Sequence, residues 1–422
     1  MARPHPESPR IPMTTTTLTL RQLHAWRNAI FVIFALSGVS IASWVARLPA
    51  VRDQLGIDTA QVGLLIFAMS AGSVIGLIAA PPIMARIGAR AGMVIVLGLV
   101  SVGLVGIGLG TDTLVSPAVV AIGLAFFGFG NGAVDVMMNV EGAAAERAIG
   151  KTLMPLMHAF FSFGTVAGAG IGALASALSV PVIAHLAVMA VVVLVAVVVA
   201  IRFVPKGVEA AELDDSPKKP LRERVVESLG VWRDVRLLAI GLIMLGMAFA
   251  EGSANDWLAI AMVDGYDQSN TTGAIAFGVF TVSMTVGRVA GGPVLDRFGR
   301  VPVLRVSAAL AVLGLLLFIF APAPWLAFVG AAFWALGSSL GFPVGMSAAA
   351  DTPDPQRSAA RVSAVAIIGY TAFLVGPPVI GLLGHEFGIL NGLLLVLVLV
   401  VLAGLASPAA RERAPLEAAP RP

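Results

Sequence analysis

Cysteine is absent from the 422 residues. Disulfides, Cys-ligated metals and iron–sulfur clusters are excluded with it. Charge is scarce as well: Asp, Glu, Lys and Arg make up 12% of the chain, about half the share found in soluble domains. The net charge of +3 is too small to point to a nucleic acid as partner. No His-Glu-x-x-His or Walker sequence occurs. An intramembrane metalloprotease therefore lacks its paired histidine ligands, and ATP has no phosphate loop to bind. The chain reads as a protein that is not an enzyme and uses no cofactor and no metal.

What the chain has in abundance is apolar surface. Apolar residues make up 58%, and the mean hydropathy is +0.93. A soluble fold of this length has no interior large enough for them, so membrane lipid must cover the rest. Runs long enough to span a bilayer fall near 28–48, 60–84, 91–111, 117–143, 153–178 and 181–203. A second set falls near 236–262, 272–295, 302–321, 325–350, 360–383 and 388–407. Basic residues cluster in alternate loops: Arg86 and Arg90, Arg147 and Lys151, then Arg297, Arg300 and Arg305, then Arg357 and Arg361. The opposite loops hold Asp112, Asp264, Asp267 and Glu386, with Arg47 and Arg52 as basic exceptions. The positive-inside rule then puts both termini in the cytoplasm.

The two halves repeat. Displaced by half the chain length, Gly76 falls on Gly287, Pro82 on Pro293, Arg86 on Arg297 and Gly88 on Gly299. The expected organisation is an all-α membrane protein of twelve helices in two pseudo-symmetric six-helix bundles, 28–203 and 236–407. A disordered cytoplasmic tail, 1–27, precedes them, and a second tail, 408–422, follows. Between them, 204–235 is a cytoplasmic linker. In it Leu221, Val225, Leu229 and Trp232 recur at helical spacing, as in a helix lying on the membrane surface.

The run from Gly287 to Arg300 resembles the signature of the major facilitator superfamily, G-x-x-x-D-R-x-G-R. Local stretches are similar to a little-characterised bacterial branch distantly related to the fucose–proton symporters. They are Trp44 to Pro49, Asp135 to Asn139, His158 to Ser162, Glu251-Gly252 with Asp256-Trp257, and Gly376 to Pro378. The resemblance implies a secondary transporter of the bacterial inner membrane, working by alternating access with its site between the bundles. It also implies a cytoplasmic latch. Asp296, Arg297 and Arg300 are its residues in the second half, and Arg147 and Lys151, at the start of the fifth span, are its partners. In the first half Ala85 replaces the acidic residue, so only the second latch is complete.

Ionisable side chains inside a span cost on the order of 3 kcal/mol to insert and so face protein or a wet cavity. Asn131, Asp135 and Asn139 share one face of the fourth span. Asp135 is a protonation site or a hydrogen-bond acceptor for substrate, with Asn131 and Asn139 as substrate ligands, or the three form a buried structural network. Glu251 and Asn255 share a face of the seventh span, Glu251 as the titratable group and Asn255 as a substrate ligand. Asp256 and Trp257 read as residues of the outer interface. Glu141 and His158 should lie at similar depth and pair, as a proton relay or a structural contact. Arg47 either meets an anionic group or snorkels to the interface; the same choice holds for Arg288. Tyr370 is a further hydrogen-bonding candidate. Gly164, Gly168 and Gly172 recur every four residues, as in close helix packing.

The expected partners are a small polar solute, sugar-like in character, protons and membrane lipid, with the chain acting as a monomer in proton-coupled symport. Two alternatives stay open. One is a proton-driven efflux antiporter for amphipathic compounds, with Phe126, Phe127, Phe129 and Met138 as an apolar wall. The other is a non-transporting sensor with a transporter fold.

Overall fold

The computed structural model describes residues 18–151, 153–205, 232–352 and 355–412. Their regular structure is helical throughout. α1 (Leu20–Val45) begins at a reciprocal cap between Thr19 and Gln22. A short α2 (Leu48–Leu55) follows and ends at Gly56 in the left-handed conformation. α3 (Thr59–Gly108) is 50 residues long. At 1.5 Å per residue it is more than twice a bilayer's hydrocarbon thickness. It is two spans broken at Gly88, whose backbone angles of φ 77° and ψ 157° no helix tolerates. α4 (Pro117–Ile149), α5 (Met154–Ala177) and α6 (Val182–Ala200) complete the first half.

The second half runs α7 (Val235–Tyr266), α8 (Asn270–Phe298), α9 (Arg300–Ile319), α10 (Pro324–Ser338) and α11 (Gly341–Ala350). α12 (Pro355–Phe387), α13 (Ile389–Gly392) and α14 (Leu394–Ala406) follow. α10 with α11 and α13 with α14 each make one span. Gly299 separates α8 from α9 with φ 75° and ψ 169°. It is the repeat mate of Gly88, and the two glycines make the same turn. The duplicated signature is thus a duplicated backbone break, which a left-handed φ reserves for glycine.

Eleven stretches are long and apolar enough to cross a membrane, with the two spans of α3 joined in one. Twelve crossings result, as the hydropathy predicts. The expected surface helix at 221–232 lies almost wholly outside the described residues.

Within the first half, small residues let backbones touch. A Cβ on Gly164 or Gly168 would collide with the carbonyl of Ala35 or Val39 on α1. One on Gly128 or Gly132 would collide with Met69 or Ser73 of α3. The glycine stripe on α5 is therefore a packing face.

The halves meet most closely at the end carrying α2, where α3 crosses α12. A Cβ on Gly63 would lie 3.0 Å from the Pro377 carbonyl oxygen. Arg52 forms an ion pair with Asp264, and Asn270 donates to Asp53 at 2.9 Å. Thr271 donates to Ser176 at 3.1 Å, and His385 lies 3.8 Å from Asp58. Every hydrogen bond and ion pair recorded between the halves among the described residues is at this end.

Candidate functional site

A cavity of about 220 Å³ lies where the halves face each other. α3 and α4 supply one wall, and α7 and α12 the other. Along α7 the lining residues are Gly252, Asn255 and Asp256. Along α12 they are Tyr370, Phe373 and Leu374. Both sets have the i, i+3, i+4 spacing of one helix face. α4 gives Phe127, Gly128 and Asn131, and α3 gives Ser70 and Ser73 among apolar neighbours. The walls are mostly apolar, with a few convergent polar groups, as in small-molecule sites.

Three of the expected ligands are in this cavity: Asn131, Asn255 and Tyr370. Asn131 is held in place. Its Oδ1 accepts from Ser37 Oγ at 3.2 Å, and its Nδ2 donates to the Phe127 carbonyl at 3.0 Å. One amide hydrogen remains for a ligand. Asn255 makes no hydrogen bond among the described residues, so its amide is available. Tyr370 is 39% exposed and lines the cavity. Asp135 and Asn139 lie one and two turns further along α4. Asn139 Nδ2 donates to the Asp135 carbonyl at 2.8 Å and to its carboxylate at 3.3 Å. Asp135 remains within electrostatic reach of Tyr370.

Glu251 does not line the cavity but pairs with Arg288 of α8 at 2.6 Å. The expectation that Arg288 snorkels or meets an anion is corrected: a carboxylate one helix away is the closer partner. His158 is exposed, lies edge-on to Phe34 and is within electrostatic reach of Arg288. The expected Glu141–His158 pair does not form. Glu141 is buried and accepts the indole N–H of Trp26 at 3.1 Å. The aromatic donor on α1 reaches the carboxylate from inside the bundle, which leaves His158 on the open side.

Arg47 neither snorkels nor meets a solute. It is 4% exposed, and its guanidinium donates to the Val180 carbonyl at 2.6 Å, tying α1 to the α5–α6 turn. Arg52, the other basic exception, is explained by Asp264. Asp256 and Trp257 also depart from the expected outer interface. Trp257 is fully buried, and Asp256 faces the cavity. The spacing of Gly252, Asn255 and Asp256 was the available signal. Glu251 drew the helix face one residue aside.

No ion pair joins Asp296 to Arg147 or Lys151 among the described residues. Asp296 is exposed and makes no ion pair among the described residues. The N-terminus of α5 is taken by Glu146, which accepts from the Leu153 and Met154 amides at 2.5 and 2.8 Å. A carboxylate just before the turn reaches those amides more readily than one on another helix. Arg297 stacks on Phe298, and Arg300 bonds Asp351 and Ser347 at 3.0 Å within its own half. Arg147 and Lys151 are exposed. Of the apolar wall suggested for an exporter, only Phe127 lines the cavity. Phe126 is exposed and Met138 is buried in its bundle.

Two helical bundles with a cavity between them make the architecture of a membrane transporter. A sequence model of the Major Facilitator Superfamily matches residues 29–290 and 241–422, and the chain belongs to that family. It is 29% identical over 371 residues to an uncharacterized transporter, y4wD, of Sinorhizobium fredii, covering 86% of this chain and 92% of that one. The membrane protein MosC of Rhizobium meliloti is 25% identical over 381 residues, covering 90% and 89%. Among solved structures, a mutant of the nucleoside transporter NupG aligns with a TM-score of 0.75 at 14% identity, covering 93% and 100%. The E. coli fucose:proton symporter FucP aligns with a TM-score of 0.62 at 16% identity, covering 92% and 98%. These two likenesses establish the fold. The protein is a multi-pass membrane transporter and not an enzyme.

Proposed function

We propose that the chain carries a small polar solute across a bacterial inner membrane in symport with protons, by rocking of bundles 28–203 and 236–407 about the central cavity. The observation that carries the reading is the cavity itself, built half from each bundle and closed at one end by contacts between them. With both termini in the cytoplasm, the closed end is the outer one, and the conformation is inward-facing. An Asp296 without an ion pair among the described residues fits that state. One chain supplies both walls, which supports a monomer as the working unit.

Asn131, Asn255 and Tyr370 are the substrate-binding groups. Asp135 and Glu251 are the proton-coupling groups, each one turn from a cavity amide. Protonation of Glu251 would release Arg288 and change the charge facing His158 across the bundles, which biases the equilibrium between states. The nucleoside transporter and the fucose:proton symporter share the fold and carry polar cargo by their names, which supports a polar solute here. Proteoliposome uptake with and without an inward pH gradient tests the reading. Accumulation should follow the gradient and be lost in Glu251→Gln and Asp135→Asn; gradient-driven uptake surviving in both variants refutes the coupling assignment.

A further inference from the structure

The cavity has one carboxylate and no cationic side chain. Asp256 faces into it, half-buried, and makes no hydrogen bond or ion pair among the described residues. No Lys, Arg or His lines the cavity. Arg288, outside the lining, is engaged by Glu251. A carboxylate only partly exposed to water gains from a charged or hydrogen-bonded partner. The walls supply hydrogen-bond donors but no cation to balance its charge, so the carboxyl either takes up a proton or meets a cationic group brought by the cargo.

Resting on the transport reading above, we infer that Asp256 is the specificity-determining group of the site, and that the cargo is a small solute bearing a protonated amine. The rest of the lining suits that chemistry. Asn255 and Asn131 offer amides, and Ser70 and Ser73 offer hydroxyls, for the solute's polar substituents. Phe373 and Tyr370 present aromatic surface, which receives a cation or its flanking carbon skeleton. An organic anion finds no cationic side chain in the lining and is repelled by the carboxylate. The volume of about 220 Å³ limits the occupant to a compact molecule.

The test is ligand-induced thermal stabilisation of the purified full-length protein. The probes are size-matched sets of primary amines, their N-acetyl forms and the corresponding carboxylates, starting with glucosamine, N-acetylglucosamine and gluconate. Amines of the panel should stabilise the wild type and their neutral and anionic counterparts should not. Asp256→Asn should bind the same amines about ten-fold more weakly or worse, and Asp256→Glu should keep part of the affinity. An unshifted elution profile of each variant shows that the fold is intact. Equal stabilisation by the N-acetyl forms, stabilisation by the carboxylates, no stabilising amine, or unchanged amine binding in Asp256→Asn overturns the inference. So does an Asp256→Asn protein that binds cargo normally and loses only pH-driven accumulation, because the carboxylate then serves a proton alone. Flux separates the two readings. A bound amine that never crosses the proteoliposome membrane refutes transport and leaves the charge assignment standing; a neutral solute that crosses does the reverse.

Discussion

Glu251 and Arg288 show how little a residue's position on one helix says about its partner. Their side chains are 16% and 33% exposed, so the pair is neither solvent-screened nor fully dry. Removing one member leaves the other charge uncompensated, which destabilises more than removing both. Glu251→Gln should therefore lower the melting temperature more than the double variant Glu251→Gln with Arg288→Gln. A thermal-unfolding cycle in detergent reads the coupling directly, and simple additivity would show that the pair is idle. Trp26 and Glu141 make a second case. The bond joins residues 115 positions apart in a buried setting. Trp26→Phe keeps most of the ring and removes the N–H, at a cost of about 1–3 kcal/mol. Chemical unfolding of the two proteins side by side measures it, and a difference near zero would show that the indole bond is dispensable.

At the scale of the helix, ends and crossings are where single residues decide. Asp234 caps α7 by accepting from the Leu237 amide at 3.2 Å and pairs with Arg361, the buried arginine of α12. Burial alone would raise its carboxyl; the Arg361 hydrogen bond, the amide and the Arg361 charge outweigh it and hold it below its ordinary value. A depressed carboxyl contributes stability above its unfolded value and loses that contribution as pH falls through the folded one. Asp234→Ala should thus cost about 1 kcal/mol at neutral pH, and the difference should shrink on acidification. Melting curves across that range check the sign; a gap that widens in acid contradicts it. The α3–α4 crossing gives a steric counterpart. Gly128 lies against the Met69 backbone with no room for a methyl group. Gly128→Val should force the helices apart and reduce the yield of monodisperse protein, whereas the same change at Gly98, which meets nothing within 4 Å, should not.

The whole molecule is held in its present state by the contacts at the α2 end. Ser176 and Thr271 are a pair across the bundles, at 3.1 Å between hydroxyls. Because the chain has no cysteine, a Ser176→Cys, Thr271→Cys protein carries the only thiols. Oxidation should join them and stop transport, and reductant should restore it. A cross-linked protein that still transports would mean that this end need not open. Breaking the Arg52–Asp264 pair with Arg52→Ala should act in the opposite sense, raising the labelling of a single cysteine placed at the cavity-facing Ser73. Arg52 also shows why a charge count alone misleads: an apparent exception to the positive-inside pattern is a fastener between halves.

The amino-acid sequence by itself determined the twelve spans, the twofold repeat and the two glycine breaks, because each depends on local composition and backbone freedom. Lipid imposes the length of an apolar run, and a left-handed φ demands glycine at Gly88 and Gly299 whatever surrounds them. Family membership was legible for the same reason, in the stretch from Gly287 to Arg300. What only the tertiary structure decided is which polar side chains share a space. Asn131, Asn255 and Tyr370 meet from three helices far apart in the chain, and helical period places a residue on a face without saying what that face sees. Asp256 moved from the interface into the cavity, Arg47 from the interface into a bundle, and Glu141 from His158 to Trp26. Each outcome depends on how helices rotate and cross, and that is set by backbone contact at small residues rather than by the polar groups themselves.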